Sequence, residues 1–264
     1  MHTICMVGNM TNKELYRDFC HKTKQLPIFM QDWWLDAVCA GKQWDVLLYM
    51  DEEGKIQAVL PYLLRQRAWM KYIIMPQQTQ IGGIWIDDTV SNNEKKVAEI
   101  SLDFANQLNE MGLSYYYQHY PIGSPMVEHM RAMQFSITER ATYRIEDLTD
   151  LDAVINGFSK NKKRQLQKAL SLHVDYNMCV EDFYRFHVKC LQEKGKQITY
   201  TREFLLVLER KTARLQQSQI VSICNADNEV LAAAFLVWDN HSMYYLIPCY
   251  LPSQKDTGAS ALLV

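Results

Sequence analysis

The spacing of hydrophobic and polar residues predicts helices and strands that are interleaved along the whole chain. Helical spacing is clearest from Glu94 to Met111, where apolar residues recur on one face and Gly112 ends the helix. Thr11 and Thr201 stand where N-caps of two further helices are expected. The remaining predicted helices cover 29–40 (ended by Gly41), 124–133, 150–171 and 180–195.

Strand patterns fill the intervals between these helices. In the first half of the chain, strands are predicted at 44–50, 55–66, 81–86, 114–120 and 137–145. In the second half they are predicted at 173–178, 219–225, 229–238 and 243–250. A loop that enters a helix follows, from Thr257 to Val264.

The two halves share a weak internal repeat at a shift of 174 residues. Val46–Met50 aligns with Ile220–Cys224, and Ile56–Leu60 aligns with Val230–Ala234, with a polar, acidic turn between the strands in each copy. Two unrelated β-hairpins would also align this well, so the shared order of elements is the stronger evidence. The pattern predicts an α+β protein of two similar units.

We place the two domains at 1–145 and 146–264. The second copy ends in Ala261-Leu-Leu-Val264, which is apolar where chain ends are usually polar. The first copy, in contrast, continues beyond its helix to a further strand. We therefore expect the second unit to lack its C-terminal elements.

Composition excludes several classes of protein. Of 264 residues, 48% are hydrophobic and 22% charged, with 10 Gly and 7 Pro, which excludes disordered and collagen-like chains. The 28 Lys+Arg against 30 Asp+Glu give a net charge of −2, so a generally basic protein that coats nucleic acid is not expected. The longest apolar run, 231–238, is far shorter than the roughly 20 residues of a membrane-spanning helix.

Cysteine usage and the N-terminal sequence favour a cytoplasmic protein without a metal site. The 7 cysteines are odd in number and none lie in a C-x-x-C pair, which favours buried free thiols in a reducing cytosol. The chain begins without a signal-peptide pattern. No His stands with Cys or carboxylate residues at metal-ligand spacing.

Three segments of the chain carry a family resemblance. They are Phe29-Met-Gln-Asp-Trp-Trp-Leu-Asp-Ala37, Phe158-Ser-Lys-Asn-Lys-Lys-Arg-Gln-Leu-Gln-Lys-Ala169 and Gly258-Ala-Ser-Ala-Leu-Leu263. In this order and spacing they resemble the FemAB-like proteins of the GNAT acyltransferase superfamily. The resemblance implies tandem GNAT units that transfer an acyl group from acyl-CoA to an amine. It also implies an alternative, because the Fem branch takes aminoacyl groups from tRNA and adds them to peptidoglycan precursors.

The sequence departs from the Fem pattern in three ways, of which the expected lack of the C-terminal part of the second unit is one. The segment 179–217 holds two ordinary helices and leaves no room for a long helical arm. Val38 and Cys39 stand where peptidoglycan-acting members tend to carry a lysine, and Lys42 is the nearest substitute. Our first expectation is therefore an N-acyltransferase that uses acyl-CoA and a small-molecule or peptide amine, with tRNA less favoured as a partner. A non-catalytic binding protein or truncated remnant is the third alternative.

The resemblance implies a cofactor site at the end of the chain. Lys255, Gly258, Ala259 and Ser260 fill the loop that enters a helix, where orphan N–H groups favour the phosphates of CoA. The alternative is an ordinary helix start capped by Thr257. The strand 243–250, with Pro248 and Cys249, would offer its backbone to the pantetheine arm, and a ladder irregularity is expected near its proline.

Catalytic and substrate-binding candidates complete the predicted site. Tyr250 or Tyr245 would serve as the acid for the leaving thiolate, and Asp239 would help to deprotonate the amine; with 15 tyrosines in the chain, packing roles are the alternative. The stretch 155–174 has no Asp or Glu. Its basic residues would hold phosphates of CoA, of a nucleotide-linked substrate or of tRNA, or would form a solvated helix face; the candidates are Lys160, Lys163, Arg164 and Lys168.

Overall fold

The computed structural model describes residues 10–39 and 44–264. Gly41 and Lys42, which the sequence analysis named, lie outside these residues, and so does Cys5, one of the 7 cysteines. Contacts divide the chain into a first unit that ends at Thr138 and a second unit that begins at Glu139; the domain boundary at 145/146 stays a prediction. No helix in 10–39 or 44–264 has the length and apolar character needed to cross a membrane.

The first unit is a mixed sheet with helices. Its elements are α1 (Asn12–Lys22), α2 (Asp32–Cys39), β1 (Trp44–Met50), β2 (Ile56–Arg67), β3 (Met70–Ile74), β4 (Trp85–Ile86), α3 (Asp88–Ser91), α4 (Glu94–Glu110), β5 (Tyr115–Tyr116) and α5 (Met126–Ala132). The sheet has the order β1-β2-β3-β5, antiparallel except for the parallel pair of β3 and β5, and β4 pairs with β2. Ile100, Phe104 and Leu108 of the long helix α4 form the core of the unit with Leu60 and Ile73 of the sheet.

The second unit is an antiparallel sheet with helices. Its elements are α6 (Leu151–Gly157), α7 (Lys160–Lys168), β6 (His173–Asp175), α8 (Val180–Glu193), α9 (Arg202–Arg214), β7 (Ser218–Cys224), β8 (Val230–Trp238), β9 (Met243–Tyr250) and α10 (Ala259–Leu262). The strand order is β6-β7-β8-β9. Phe183 of α8 packs against Phe235, with ring centroids 6.4 Å apart, while Ala259 of α10 packs with Ala232. Because residues 232 and 235 point to opposite faces of β8, helices cover both faces of this sheet.

The helix signals in the sequence are largely confirmed. Thr11 accepts the N–H of Glu14 while the carboxylate of Glu14 accepts the N–H of Thr11, which is a complete capping box. Thr201 caps α9 through the N–H of Phe204. Gly195, after α8, adopts a φ of 65° in the left-handed region that ends many helices.

The predicted alignment of the two hairpins is confirmed in their pairing registers. Tyr49 pairs with Ala58 and Ile223 pairs with Ala232, and each ladder then slips by one residue at the next position. Every paired position of the first hairpin therefore matches the second at a shift of 174. The turns also agree, because the side chains of Asp51 and Asn225 each accept two backbone N–H groups of their own turn.

Several strand predictions are wrong. The segment 137–145 forms no strand: Ile137 packs against the core of the first unit, but Tyr143 is fully exposed and Ile145 exposes 42% of its surface, so no continuous buried face exists. The predicted strands at 81–86 and 114–120 shrink to two residues each. β3 was not predicted, because its turn at Ala68–Trp69 lacks the Gly or Asn that usually marks a hairpin.

The described cysteines are free thiols, and most are buried as expected. Cys20, Cys39, Cys190, Cys224 and Cys249 are buried, whereas Cys179 is exposed at the start of α8.

Candidate functional site

The last strand of the second sheet carries a β-bulge. Tyr245 and Ile247 pair with consecutive residues of β8, so Leu246 has no partner across the ladder. A bulge bends the strand and leaves backbone groups unpaired. Among the described residues β9 is also an edge strand, so its outer side has no further strand beside it. The irregularity expected at Pro248 thus lies two residues earlier, and Pro248 keeps its place in the ladder.

Side chains of β9 differ in what they offer a ligand. Tyr245 and Tyr250 each expose 37% of their surface, whereas Cys249 exposes 2%. The Cys249 thiol donates to the carbonyl of Ala233 at 3.4 Å and contacts the thiol of Cys190, so it lies inside the sheet–helix layer. Cys249 can therefore contribute only its backbone to a ligand.

The two tyrosines have different surroundings. Burial, helped by the nearby Cys249, raises the pKa of Tyr245 to about 12, so its phenol keeps its proton at neutral pH. The ring of Tyr250 is covered instead by the ammonium of Lys194, whose nitrogen lies 3.8 Å from the ring centre. This cation–π contact fixes the position of the Tyr250 ring.

Asp239 belongs to the turn between β8 and β9. Its Oδ1 accepts the backbone N–H groups of His241 and Ser242 at 2.9 Å each, and its Oδ2 accepts the hydroxyl of Tyr244 at 3.4 Å. Tyr250 lies at the other end of the strand, roughly 20 Å away at about 3.3 Å per residue. The structure therefore does not bring Asp239 and Tyr250 into one site.

Gly258 joins a 3₁₀ turn (Pro252–Thr257) to α10 with a φ of 84°, which favours glycine. A Cβ at this position would overlap the carbonyl oxygen of Gln165 and lie 3.2 Å from Ala169, both at the end of α7. Ala259 is buried, Ser260 is half-buried and Lys255 is exposed. The hydroxyl of Thr257 accepts the N–H of Ala259 at 3.3 Å, but the N-cap of α10 is Gly258 and has no side-chain cap, so Thr257 stands one residue before the cap position of the alternative interpretation.

The basic helix α7 therefore lies directly against the loop predicted to hold phosphates. Lys160, Arg164 and Lys168 are exposed and repeat every four residues, beside the face that packs on Gly258. Lys163 has a different place, because its ammonium donates to the carbonyl of Asn156 at 2.9 Å, near the end of α6. The structure thus joins the cofactor-loop and substrate-binding candidates into one region, except for Lys163.

Comparison with known proteins bears on the fold. No protein-family model matches the sequence, and comparison with curated proteins gives no significant match. The crystal structure of FemX aligns with 99% of this chain and 82% of its own, with a TM-score of 0.62 and 12% identity. The chain has a FemAB-like GNAT fold. L-PGS from Bacillus licheniformis aligns with 86% of this chain and 65% of its own at 13% identity, but its TM-score of 0.41 is too low to support an argument.

The GNAT fold resemblance inferred from the three motifs is therefore confirmed, as is the α+β class. At 12% identity the likeness to FemX establishes the fold and leaves the reaction open. Within this fold the motif 158–169 corresponds to α7 and its continuation, and the motif 258–263 corresponds to α10. The two helices α7 and α10 meet at Gly258.

The second unit also contains a half-buried polar side chain that sequence reasoning missed, His187 of α8. Nδ1 of His187 lies 2.6 Å from the hydroxyl of Tyr200, beneath β9. Burial and the nearby Lys194 lower the pKa of His187, so the imidazole is neutral at physiological pH. The sequence signal for His187 was its position three residues before the apolar Cys190, which places both residues on the core face of α8. Among the described residues, no group of three or more His, Cys, Asp or Glu could hold a metal ion.

Proposed function

We propose that this protein transfers an acyl group from acyl-CoA to the amino group of a small molecule or peptide, using the exposed edge of β9. The observation that carries the proposal is the bulge at Leu246 on an edge strand, directly beside the half-exposed phenol of Tyr245. A thioester carbonyl needs a hydrogen-bond donor and its leaving sulfur needs a second one, and the proposal assigns these roles to a backbone N–H at the bulge and to the protonated phenol of Tyr245.

The reaction would proceed by direct attack. The neutral amine nitrogen attacks the thioester carbonyl carbon; the C–N bond forms, the C–S bond breaks, and the amine proton passes to water. A backbone N–H freed at the bulge would donate to the carbonyl oxygen as its negative charge grows. The pKa of Tyr245, about 12, lies above the roughly 8.5 of a thiol, so the phenol would stabilise the departing thiolate by a hydrogen bond and keep its proton.

The donor would extend from the bulge along β9 to the loop at Gly258. Its pantetheine arm would follow the edge past Pro248, and its phosphates would meet Lys255, Ser260 and the cations of α7. Lys160, Arg164 and Lys168 would supply that charge, since Lys163 is bound to Asn156. The exposed Asp256 beside Lys255 reduces the charge of the loop itself, so α7 is the larger source.

The test is release of CoA from acetyl-CoA in the presence of a panel of amines. Tyr245→Phe should lower kcat by about 10²-fold with little change in KM, because the lost donor acts on the leaving sulfur. Tyr143→Phe is the matched control, since Tyr143 is fully exposed in the same unit. Equal rates for the two variants would contradict the role of Tyr245, and an absence of turnover with every amine would remove the acyl-CoA proposal.

An aminoacyl-tRNA donor, with a peptidoglycan precursor as acceptor, is the second candidate. The observation in its favour is the cationic face of α7, which suits RNA phosphates as well as CoA. Binding of CoA and of bulk tRNA should be compared at 50 and 200 mM salt. Contacts to three phosphates would weaken tRNA binding about 40-fold over that range. Salt-sensitive tRNA binding without a CoA signal would reverse our choice, and turnover with neither donor would favour a non-catalytic binding protein.

A further inference from the structure

Among the residues that the structure describes, the β2–β3 hairpin extends beyond the neighbouring strands of the first sheet. β1 pairs with β2 only as far as Leu63, whereas the ladder of β2 with β3 runs from Leu63 to Arg67. On the other side, β5 pairs with β3 only at Tyr72 and Ile73. The N–H of Ser114, just before β5, also donates to the carbonyl of Lys71 at 2.8 Å. The segment from Arg65 to Met70 is therefore a two-stranded ribbon with no further strand beside it among the described residues.

The ribbon ends in a large apolar side chain. Its two-residue turn is Ala68–Trp69, with Ala68 at a φ of 52° and the Gln66 amide donating to the Ala68 carbonyl at 3.2 Å. Trp69 exposes 83% of its surface and the adjacent Met70 exposes 37%. Exposed apolar side chains of this size at a projecting point usually mark a contact surface.

The same ribbon is strongly basic. Arg65, Arg67 and Lys71 flank the turn, and no Asp or Glu occurs between Lys55 and Ile86. The tip therefore combines three cations with a tryptophan and a methionine. This charge pattern is complementary to a surface that is anionic outside and apolar just beneath.

We propose that the tip of the β2–β3 hairpin docks on an anionic lipid bilayer. Trp69 and Met70 enter the interfacial layer, where tryptophan is favoured, and the three cations lie against lipid phosphates. The tip is too narrow to bury the roughly 800 Å² per partner of a stable protein interface, whereas a fluid bilayer accepts single side chains. Nucleic acid would satisfy the cations, but it has no equivalent place for the adjacent Met70.

The test is co-sedimentation of the full chain with phosphatidylcholine vesicles that contain 30% phosphatidylserine or none. Binding should require the anionic lipid. Arg65→Gln/Arg67→Gln/Lys71→Gln should weaken it about fivefold per cation removed, or about 100-fold in total. The matched control is Arg210→Gln/Lys211→Gln/Arg214→Gln, which removes three exposed cations from the second unit and should leave binding nearly unchanged.

Trp69 provides an independent readout. Trp69→Phe keeps an aromatic residue at the tip but removes the tryptophan fluorescence of this position. The emission of Trp69, obtained by subtracting the spectrum of the variant from that of the wild-type chain, should be quenched by vesicles of brominated lipid. Trp69→Ala should reduce vesicle binding about tenfold while the thermal unfolding profile stays unchanged. Equal loss in the two triple variants, binding to neutral and anionic vesicles alike, or binding of RNA through the ribbon cations without vesicle binding would each overturn the proposal.

Discussion

The contact between Gly258 and α7 gives a sharp prediction of stability. Gly258→Ala adds a Cβ that overlaps the carbonyl oxygen of Gln165, and it forces a non-glycine residue to a φ of 84°. The left-handed conformation costs about 1 kcal/mol for alanine. Displacing a packed backbone costs about 2 kcal/mol more, as overpacking of a close-packed region does. We expect the free energy of unfolding of the second unit to fall by about 3 kcal/mol.

Gly195→Ala separates these two contributions. Gly195 has a φ of 65°, but nothing lies within 4 Å of the position of its Cβ, so only the backbone cost of about 1 kcal/mol remains. At roughly 4 °C per kcal/mol, the expected drops in Tm are about 12 °C for Gly258→Ala and about 4 °C for Gly195→Ala. Both are measured by differential scanning calorimetry of the full chain. Equal drops would show that α7 does not press on Gly258.

Three further predictions concern single side chains. Thr11→Ala should lower the stability of the first unit by about 1 kcal/mol in urea unfolding, and no change would contradict the capping box. Asp239→Ala should lower the free energy of unfolding of the second unit by about 1–2 kcal/mol and leave the kcat of the folded protein nearly unchanged. A large loss of kcat at unchanged stability would instead support a catalytic role for Asp239. Burial acts to raise the pKa of Asp36, but hydrogen bonds from Arg17 and Trp44 outweigh it and lower that pKa. The carboxylate therefore stabilises the fold above the unfolded value near pH 4, and stability falls as pH drops through the lower folded value; Asp36→Asn should flatten this acid limb.

Local signals predicted local structure well. The caps at Thr11 and Thr201 and the helix end at Gly195 involve residues three or four positions apart, so the sequence contains the whole interaction. The strand at 137–145 failed for the opposite reason. A strand requires a neighbouring strand and a buried face, and the alternation around Tyr143 meets neither.

The sequence predicted the separate segments of the candidate site but not which of them lie in contact. The resemblance indicated both the loop at Gly258 and the basic segment that became α7, but only tertiary contacts show that Gln165 and Gly258 touch. The sequence likewise grouped Asp239 with Tyr250, although they stand at opposite ends of one strand. The position of the bulge at Leu246 depends on the register of β9 with β8, and the residue types in β9 do not indicate it.

The irregular edge of β9 has a consequence for how copies of the protein behave at high concentration. An unbroken edge strand invites another chain to add to it, which leads to aggregation. Pro248 supplies no N–H, and the bulge two residues earlier turns the ladder out of line, so a foreign strand would find few donors in register. The interruptions at which we propose that a small ligand binds would therefore also discourage self-association of the sheet.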